Sequence, residues 1–382
     1  MPKFKKIGFI HLKRDSYDTN FLRLKAVTLK QEDSLIISQQ NNWNLVRLIC
    51  AILVIYGHSF ILFHNPGSTD WIQSHIAKNI TYSGQIAVII FFFVSGLLIT
   101  NSIQRLKSIA VYALHRFFRI FPGLIMCLSI TVFMVIPLIT HTFQIKSSVK
   151  YLFLNGSLLT NVYPLGSAFL HNPYASVVNG SLWTLPNEVR CYCVILFLAI
   201  LTNFIDKRKL ITINLIVLFY LIYDPELVPL IGSNPATSGN SLYVINSIFF
   251  FLGSLAMLTH LGRLRNYLLL FFSYSFYLAW VMNPERHLLF FVSVVLFASY
   301  LTSSRWFKRI RIAADLSYGV YLYGFLVEQT ISYLFPTTTP FVGFIASTGL
   351  SLILGYISWF AIEKRAINFS KKYGKLLISK RM

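Results

Sequence analysis

Acidic side chains are scarce in this chain: 13 Asp and Glu stand against 34 Lys and Arg, and charged residues make up only 12% of its 382 positions. A soluble domain carries about 25% charged residues. Half that charge cannot cover a water-facing surface of this size. Cysteine is also rare, with four residues. Cys50, Cys127, Cys191 and Cys193 all fall in apolar stretches. Cys191 and Cys193, two apart on a helix, point to different faces, which argues against a disulfide between them. The nine histidines form no HExxH or Cys/His pattern, so no metal site is indicated. What remains is apolar: 55% hydrophobic residues and a mean hydropathy of +0.61.

An apolar helix needs about 20 residues to cross the hydrocarbon core of a bilayer. Ten stretches suit that role: 44–63, 84–103, 118–140, 182–203, 209–223, 241–260, 266–282, 287–302, 316–335 and 341–362. The sequence predicts an all-α polytopic membrane protein with about ten transmembrane helices. Residues 1–40 are polar and Lys-rich without an apolar core, so they read as a cytoplasmic basic tail and not as a signal peptide. Residues 41–365 read as one transmembrane domain, and 366–382 as a second cytoplasmic basic tail. No internal repeat is evident, which weighs against an inverted-repeat transporter. The longest connection, about 141–181, exceeds a simple connector, and loops of that length are usually functional or disordered. Its apolar patch, Tyr151-Leu152-Phe153-Leu154, suits a membrane surface. Asn79, Asn155 and Asn179 begin Asn-x-Ser/Thr triplets, a pattern common by chance.

The net charge of +21 raises the question of a nucleic-acid partner, and its placement answers no. With the N-terminus inside, the outer loops hold only Lys78, Lys146, Lys150 and Arg286, while Arg47 and Arg190 lie in spans. The other basic residues fall on the inner side, among them Arg105, Lys107, Lys207-Arg208-Lys209 and Arg305 through Arg311. That is the positive-inside bias. It puts both termini in the cytoplasm, with anionic lipid as the counter-charge.

Arg47 and His58 bracket the first span. An ionisable residue within a membrane is a functional candidate by default. Eleven residues at ~100° each are about three turns plus 20°, so both side chains share one face, roughly 16 Å apart along the axis. Alone, Arg47 could snorkel to the headgroups and His58 could be a packed histidine; their shared face favours function. Arg116 and Arg119, three apart, also share a face. Their forked guanidiniums suit phosphate oxygens, although positive-inside anchoring would place arginines there too. Glu188 follows Trp183 into the fourth span. Near a helix N-terminus a carboxylate is electrostatically welcome. At the depth of His58 it could instead complete an acid–base pair facing one cavity. Phe91-Phe92-Phe93-Val94-Ser95-Gly96 reads as close helix packing. Ser95 and Trp183 are candidate channel-lining residues.

These segments, in this order, resemble the acyltransferase-3 family of integral membrane acyltransferases, over about Asn44 to Arg365. Asn44 to His58 is similar to its first helix. Phe92-Phe93-Val94-Ser95-Gly96-Leu97-Leu98-Ile99-Thr100 resembles its FFVxSGFLIT segment. Arg116-Phe117-Phe118-Arg119-Ile120-Phe121-Pro122 resembles its RxxRIxP element, and Ser181-Leu182-Trp183-Thr184-Leu185 with Glu188 and Tyr192 its LWSLxxE element. Ser317-Tyr318, Tyr321-Leu322 and Ile362-Glu363-Lys364 resemble its late helices. The chain departs from the pattern at Pro186, Val189 and Arg190, at Tyr323-Gly324 where Trp-His is frequent, and at Lys364-Arg365, where a proline is usual.

The resemblance implies a multi-pass protein of the cytoplasmic (inner) membrane that moves an acyl group, most often acetyl, from cytosolic acyl-CoA. The implied acceptor is a hydroxyl of a lipid-linked glycan or polysaccharide. Acetyl-CoA is then a donor substrate, and no metal is required. Arg116 and Arg119 would hold the CoA phosphates of the donor, and Arg47 would line the inner channel and meet CoA or a buried carboxylate. His58 would act as general base, with a transient acyl-histidine as the other route, and Glu188 would orient its imidazole or stabilise the protonated ring. A transporter or flippase of lipid-linked sugars, and a non-catalytic scaffold, are the other classes weighed.

Overall fold

The structure is a computed structural model and describes residues 42–63, 68–77, 80–106, 108–202, 206–223, 240–259, 265–281, 287–310, 312 and 314–379. The expected N-terminal tail at 1–40 lies outside the described residues, as do Lys78, Asn79, Lys107, Arg286 and Arg311. Every described element is helical. In chain order they are α1 (Trp43–Leu62), α2 (Trp71–His75), α3 (Ser83–Leu106), α4 (Ile109–Ile130), α5 (Ile145–Ser157), α6 (Thr184–Leu201), α7 (Lys207–Tyr223), α8 (Asn240–Thr259), α9 (Arg265–Val281), α10 (His287–Ser303), α11 (Arg305–Arg309), α12 (Ser317–Leu334), α13 (Pro340–Ser358) and α14 (Lys364–Ser379). A π-helical turn, Thr131–Val135, carries α4 on into a last short helical piece, Ile136–Thr140; a 3-10 turn, Gly180–Trp183, leads into α6, and a second π-helical turn, Trp359–Glu363, joins α13 to α14.

Each of the ten apolar stretches coincides with a helix. Among the described residues, six helical stretches are long and apolar enough to cross a membrane: Trp43–Leu62, Ser83–Leu106, Ile109–Thr140, Gly180–Leu201, Leu242–Thr259 and Pro340–Leu377. The protein is therefore an all-helical, multi-pass membrane protein. α7, α9 and α10 have 17 residues each and α12 has 18. One boundary differs from expectation. α4 begins at Ile109, not at 118, because a helix continues past the apolar run that marks its core. The expected C-terminal tail is largely the helix α14.

Close packing follows from small residues. A Cβ at Gly96 of α3 would overlap the carbonyl oxygen of Phe250 on α8, and one at Gly253 would overlap that of Phe93. The two helices thus touch backbone to backbone, the small-residue interface expected where hydrophobic burial cannot drive association. Hydrogen bonds reinforce it, from Gln85 Nε2 to Asn246 Oδ1 at 3.0 Å and from Thr100 to Ser254 at 2.8 Å.

α12 is buried along nearly its whole length and packs against α1, α13 and the 3-10 turn. That position accounts for its polar content. Glu328, Gln329 and Ser332 are buried, and such groups at membrane depth face the interior of a bundle. The expected long connection contains α5, whose Tyr151 is buried and whose Phe153 is exposed. Asn155 and Asn179 are buried too. Asn155 Nδ2 donates to the carbonyls of Tyr151 and Val162, and Asn179 Nδ2 to that of Leu322. Both triplet asparagines thus serve packing.

Candidate active site

Near the end of α1, His58 lines a cavity of about 320 Å³ with Ile61, Tyr82, Tyr163, Tyr174, Trp183 and Phe325 among its walls. Its Nδ1 faces Oε2 of Glu328 at 3.7 Å. Neither atom has a hydrogen-bond partner among the described residues. Ser59, the next residue on α1, donates its hydroxyl to Oε1 of Glu328 at 2.7 Å. The Phe325 ring, one turn before Glu328 on α12, meets the imidazole edge-on at 5.1 Å between centroids. The carboxylate is thus fixed on one oxygen and aimed at the imidazole with the other. With Nδ1 turned to Glu328, Nε2 is the nitrogen left to serve the cavity.

The cavity wall is held from behind by Gln329. This fully buried side chain donates Nε2 to the carbonyls of Tyr174 and Val177 at 2.8 and 2.7 Å. Its Oε1 accepts from Asn172 at 2.7 Å. Adjacent residues of α12 therefore hold the imidazole side and the loop side of one chamber.

A second, smaller cavity of about 40 Å³ lies toward the arginine end, lined by Arg47, Phe92, Ser95, Thr184, Glu188 and Tyr321 among others. The turn that precedes α6 forms the wall between the two, since Gly180 and Trp183 line the first and Thr184 and Leu185 the second. Tyr321 seals this wall. Its hydroxyl donates to the carbonyl of Ser181 at 2.8 Å and lies 2.7 Å from the Thr184 hydroxyl.

Here the expected pairing of His58 with Glu188 is corrected. Glu188 Oε1 accepts from Ser95 at 2.8 Å and from the hydroxyl of Tyr192, one turn further on α6. The two candidates stand in different cavities. The carboxylate beside His58 is Glu328, which sequence reasoning missed. The signal was present, because Glu328 is the one acidic residue of its span, and an ionisable group in a span is a functional candidate by default. Ser95 lines the smaller cavity and Trp183 the larger.

The three arginines also divide. Asp315, just before α12, draws Arg47 Nη1 to 3.1 Å and Arg119 Nη2 to 2.5 Å on the same oxygen. Arg119 lies 3.9 Å from Glu363 as well, with its guanidinium over the rings of Tyr318 and Trp359. Burial opposes ionisation of Asp315. The guanidiniums of Arg119 and Arg47 and a hydrogen bond from Ser317 overcome that penalty and hold its carboxyl well below the ordinary range. Glu363 accepts from Ser358 at 2.7 Å. This cluster ties α1, α4 and α12 to the end of α13. Arg116 stands apart, partly buried, its guanidinium 5.9 Å from the Tyr112 ring and its Nε without a hydrogen-bond partner among the described residues.

A partly buried imidazole facing a buried carboxylate, in a chamber inside a helical membrane bundle, is an arrangement able to pass a proton to or from a bound hydroxyl. The chain belongs to the acyltransferase-3 family, whose model, described as an acyltransferase domain, matches residues 40–360. It is a membrane acyltransferase. An O-acetyl transferase of Shigella phage Sf6 is 26% identical over 354 residues, which cover 87% of this chain and 97% of that one. Nodulation protein 10 of Rhizobium leguminosarum bv. viciae is 31% identical over 163 residues, 40% of this chain and 42% of the relative. No solved structure matches the chain.

Proposed function

We propose that the protein is an O-acetyltransferase of the cytoplasmic membrane, with ten spans and both termini in the cytosol. It carries acetyl from cytosolic acetyl-CoA to a hydroxyl of a lipid-linked or cell-surface carbohydrate. The observation that carries this reading is the His58–Glu328 pair at the edge of an aromatic-walled cavity. Such walls with few polar groups are the usual make-up of a small-ligand site. The printed name of the phage relative supports the acetyl group.

In this reading His58 Nε2 takes the proton of the acceptor hydroxyl as its oxygen attacks the thioester carbonyl carbon. The tetrahedral intermediate then collapses, the carbon–sulfur bond breaks, and the imidazolium returns the proton to the departing thiolate. Glu328 holds the tautomer and balances the transient charge on the ring, the role of the acid in a Ser-His-Asp triad. Arg116, which stands outside the Asp315 cluster, is the guanidinium left to meet CoA phosphates. Arg47 and Arg119 contribute through the Asp315 cluster, which frames the arginine end of the path. The smaller cavity receives the pantetheine arm, and the Tyr321 wall must open to pass the thioester. Glu188, held by Ser95 and Tyr192, lines that arm's route.

The test is mass spectrometry of the surface glycan from cells with and without the protein, paired with thiol release from acetyl-CoA in purified membranes. A gain of one acetyl unit per acceptor with matching thiol release supports the reading. Movement of glycan across the membrane without thiol release would replace it with a flippase.

A further inference from the structure

The helix α14 has three distinct sides. At about 100° per residue, Ile367, Ser370 and Gly374 share one side, and it packs on α4. A Cβ at Gly374 would lie 3.0 Å from His115 and from Val111. Phe369, Tyr373 and Leu376 form the next side, each about half exposed, with the Phe369 and Tyr373 rings 5.1 Å apart. Lys364, Arg365, Lys371, Lys372 and Lys375 occupy the third, and no acidic residue lies in Lys364–Ser379.

Length decides where this helix ends up. The continuous helical stretch Pro340–Leu377 has 38 residues. At 1.5 Å per residue that is about 57 Å, longer than a whole bilayer of about 40–45 Å with its headgroups. Its last turns must therefore leave the hydrocarbon. Standing straight out, they would offer Phe369, Tyr373 and Leu376 to water. Lying along the surface, they bury that side at the acyl boundary and bring five cations to the headgroups. An apolar stripe beside a basic one is the make-up of an interfacial helix.

We propose that α14 docks the arginine end of the protein on an anionic bilayer surface, with its basic side on lipid phosphates and Phe369, Tyr373 and Leu376 in the interface. The partner is lipid, because the helix emerges from the hydrocarbon at this point and its charge is of one sign. The contact reaches the site already described. α14 lies along the part of α4 that carries Arg116 and Arg119. Phe369 meets the Phe118 ring at 5.3 Å, and Glu363, immediately before α14, stands by Arg119. Lipid that anchors α14 therefore braces the arginine pair. The proposal holds whether or not the protein transfers acetyl groups.

Hydrogen exchange of the full chain in nanodiscs tests it, with phosphatidylcholine alone or with about one third phosphatidylglycerol added. Amides of 366–379 are expected to exchange about tenfold more slowly with the anionic lipid. The triple variant Lys371→Gln, Lys372→Gln, Lys375→Gln is expected to lose that difference, and Tyr373→Glu to lose protection in both lipids. Unchanged exchange in α3 and α8 serves as the control for folding. Equal exchange in the two lipids, or lipid dependence retained by the triple variant, would overturn the proposal. So would protection that follows the number of chains per disc, which would name a second copy as the partner.

Discussion

Nδ1 of His58 on α1 and Oε2 of Glu328 on α12 face each other across 3.7 Å, and neither meets any other hydrogen-bond partner among the described residues. A shift of about 1 Å would bring them to hydrogen-bond distance, and apo sites are often loose in this way before substrate tightens them. Glu328→Gln keeps the shape and the Ser59 contact but removes the charge that would balance an imidazolium. Its kcat is expected to fall by about 10²–10⁴, with the KM for acetyl-CoA nearly unchanged. Steady-state kinetics in membranes measure both.

Asp315 holds two arginines on one oxygen. Asp315→Asn leaves Arg47 and Arg119 without their shared counter-charge; the cluster is partly buried, so a loss of about 1–3 kcal/mol is expected, below that of a fully buried pair. A lowered unfolding midpoint in detergent is the readout, and Arg47→Met added to Asp315→Asn is expected to recover part of the loss. Because the folded carboxyl titrates below the ordinary range, its contribution is in full force above the unfolded value, near 4. It fades as pH falls through the lower folded value. Acid unfolding of the wild type is therefore expected to steepen below about pH 4, and that limb is expected to flatten in Asp315→Asn.

Gln329 acts on the opposite wall. Gln329→Leu removes both donors to the Tyr174 and Val177 carbonyls and the acceptor for Asn172. Leaving buried polar groups unmatched costs about 1–3 kcal/mol each. Proteolysis within 161–179 is expected to speed up in this variant, while cleavage elsewhere stays as in the wild type.

Gly96 and Gly253 set the distance between α3 and α8. Gly96→Val places a side chain against the Phe250 carbonyl, and overpacking of this kind costs about 1–3 kcal/mol or more. Loss of the folded, monodisperse fraction in detergent is the expected outcome, whereas Gly349→Ala, which meets open space, is expected to be tolerated.

Much of this architecture was legible from residue order. The ten apolar runs coincide with helices because length and hydropathy are local properties. Arg47 and His58 were found because they sit in one such run. What the sequence could not supply was which helices are neighbours. Glu188 and His58 lie at similar positions along their spans, yet Glu188 turns to Ser95 on α3 and Tyr192 on its own helix. Periodicity fixes a face of a helix and leaves its partner open. Arg119 looked like a free phosphate ligand, and the carboxylate that Arg47 meets could not be named, because Asp315 lies far along the chain from both. Glu328 and Gln329 were readable as intramembrane polar residues, but their roles depend on α12 being enclosed by other helices.

The most direct test is transfer of labelled acetyl from acetyl-CoA into the glycan fraction of membranes carrying the wild-type protein or His58→Ala, at matched expression. The expected result is label in the wild type and a drop of at least about 10² in the variant, with acetyl-CoA binding retained. Near-normal labelling by His58→Ala would contradict the account.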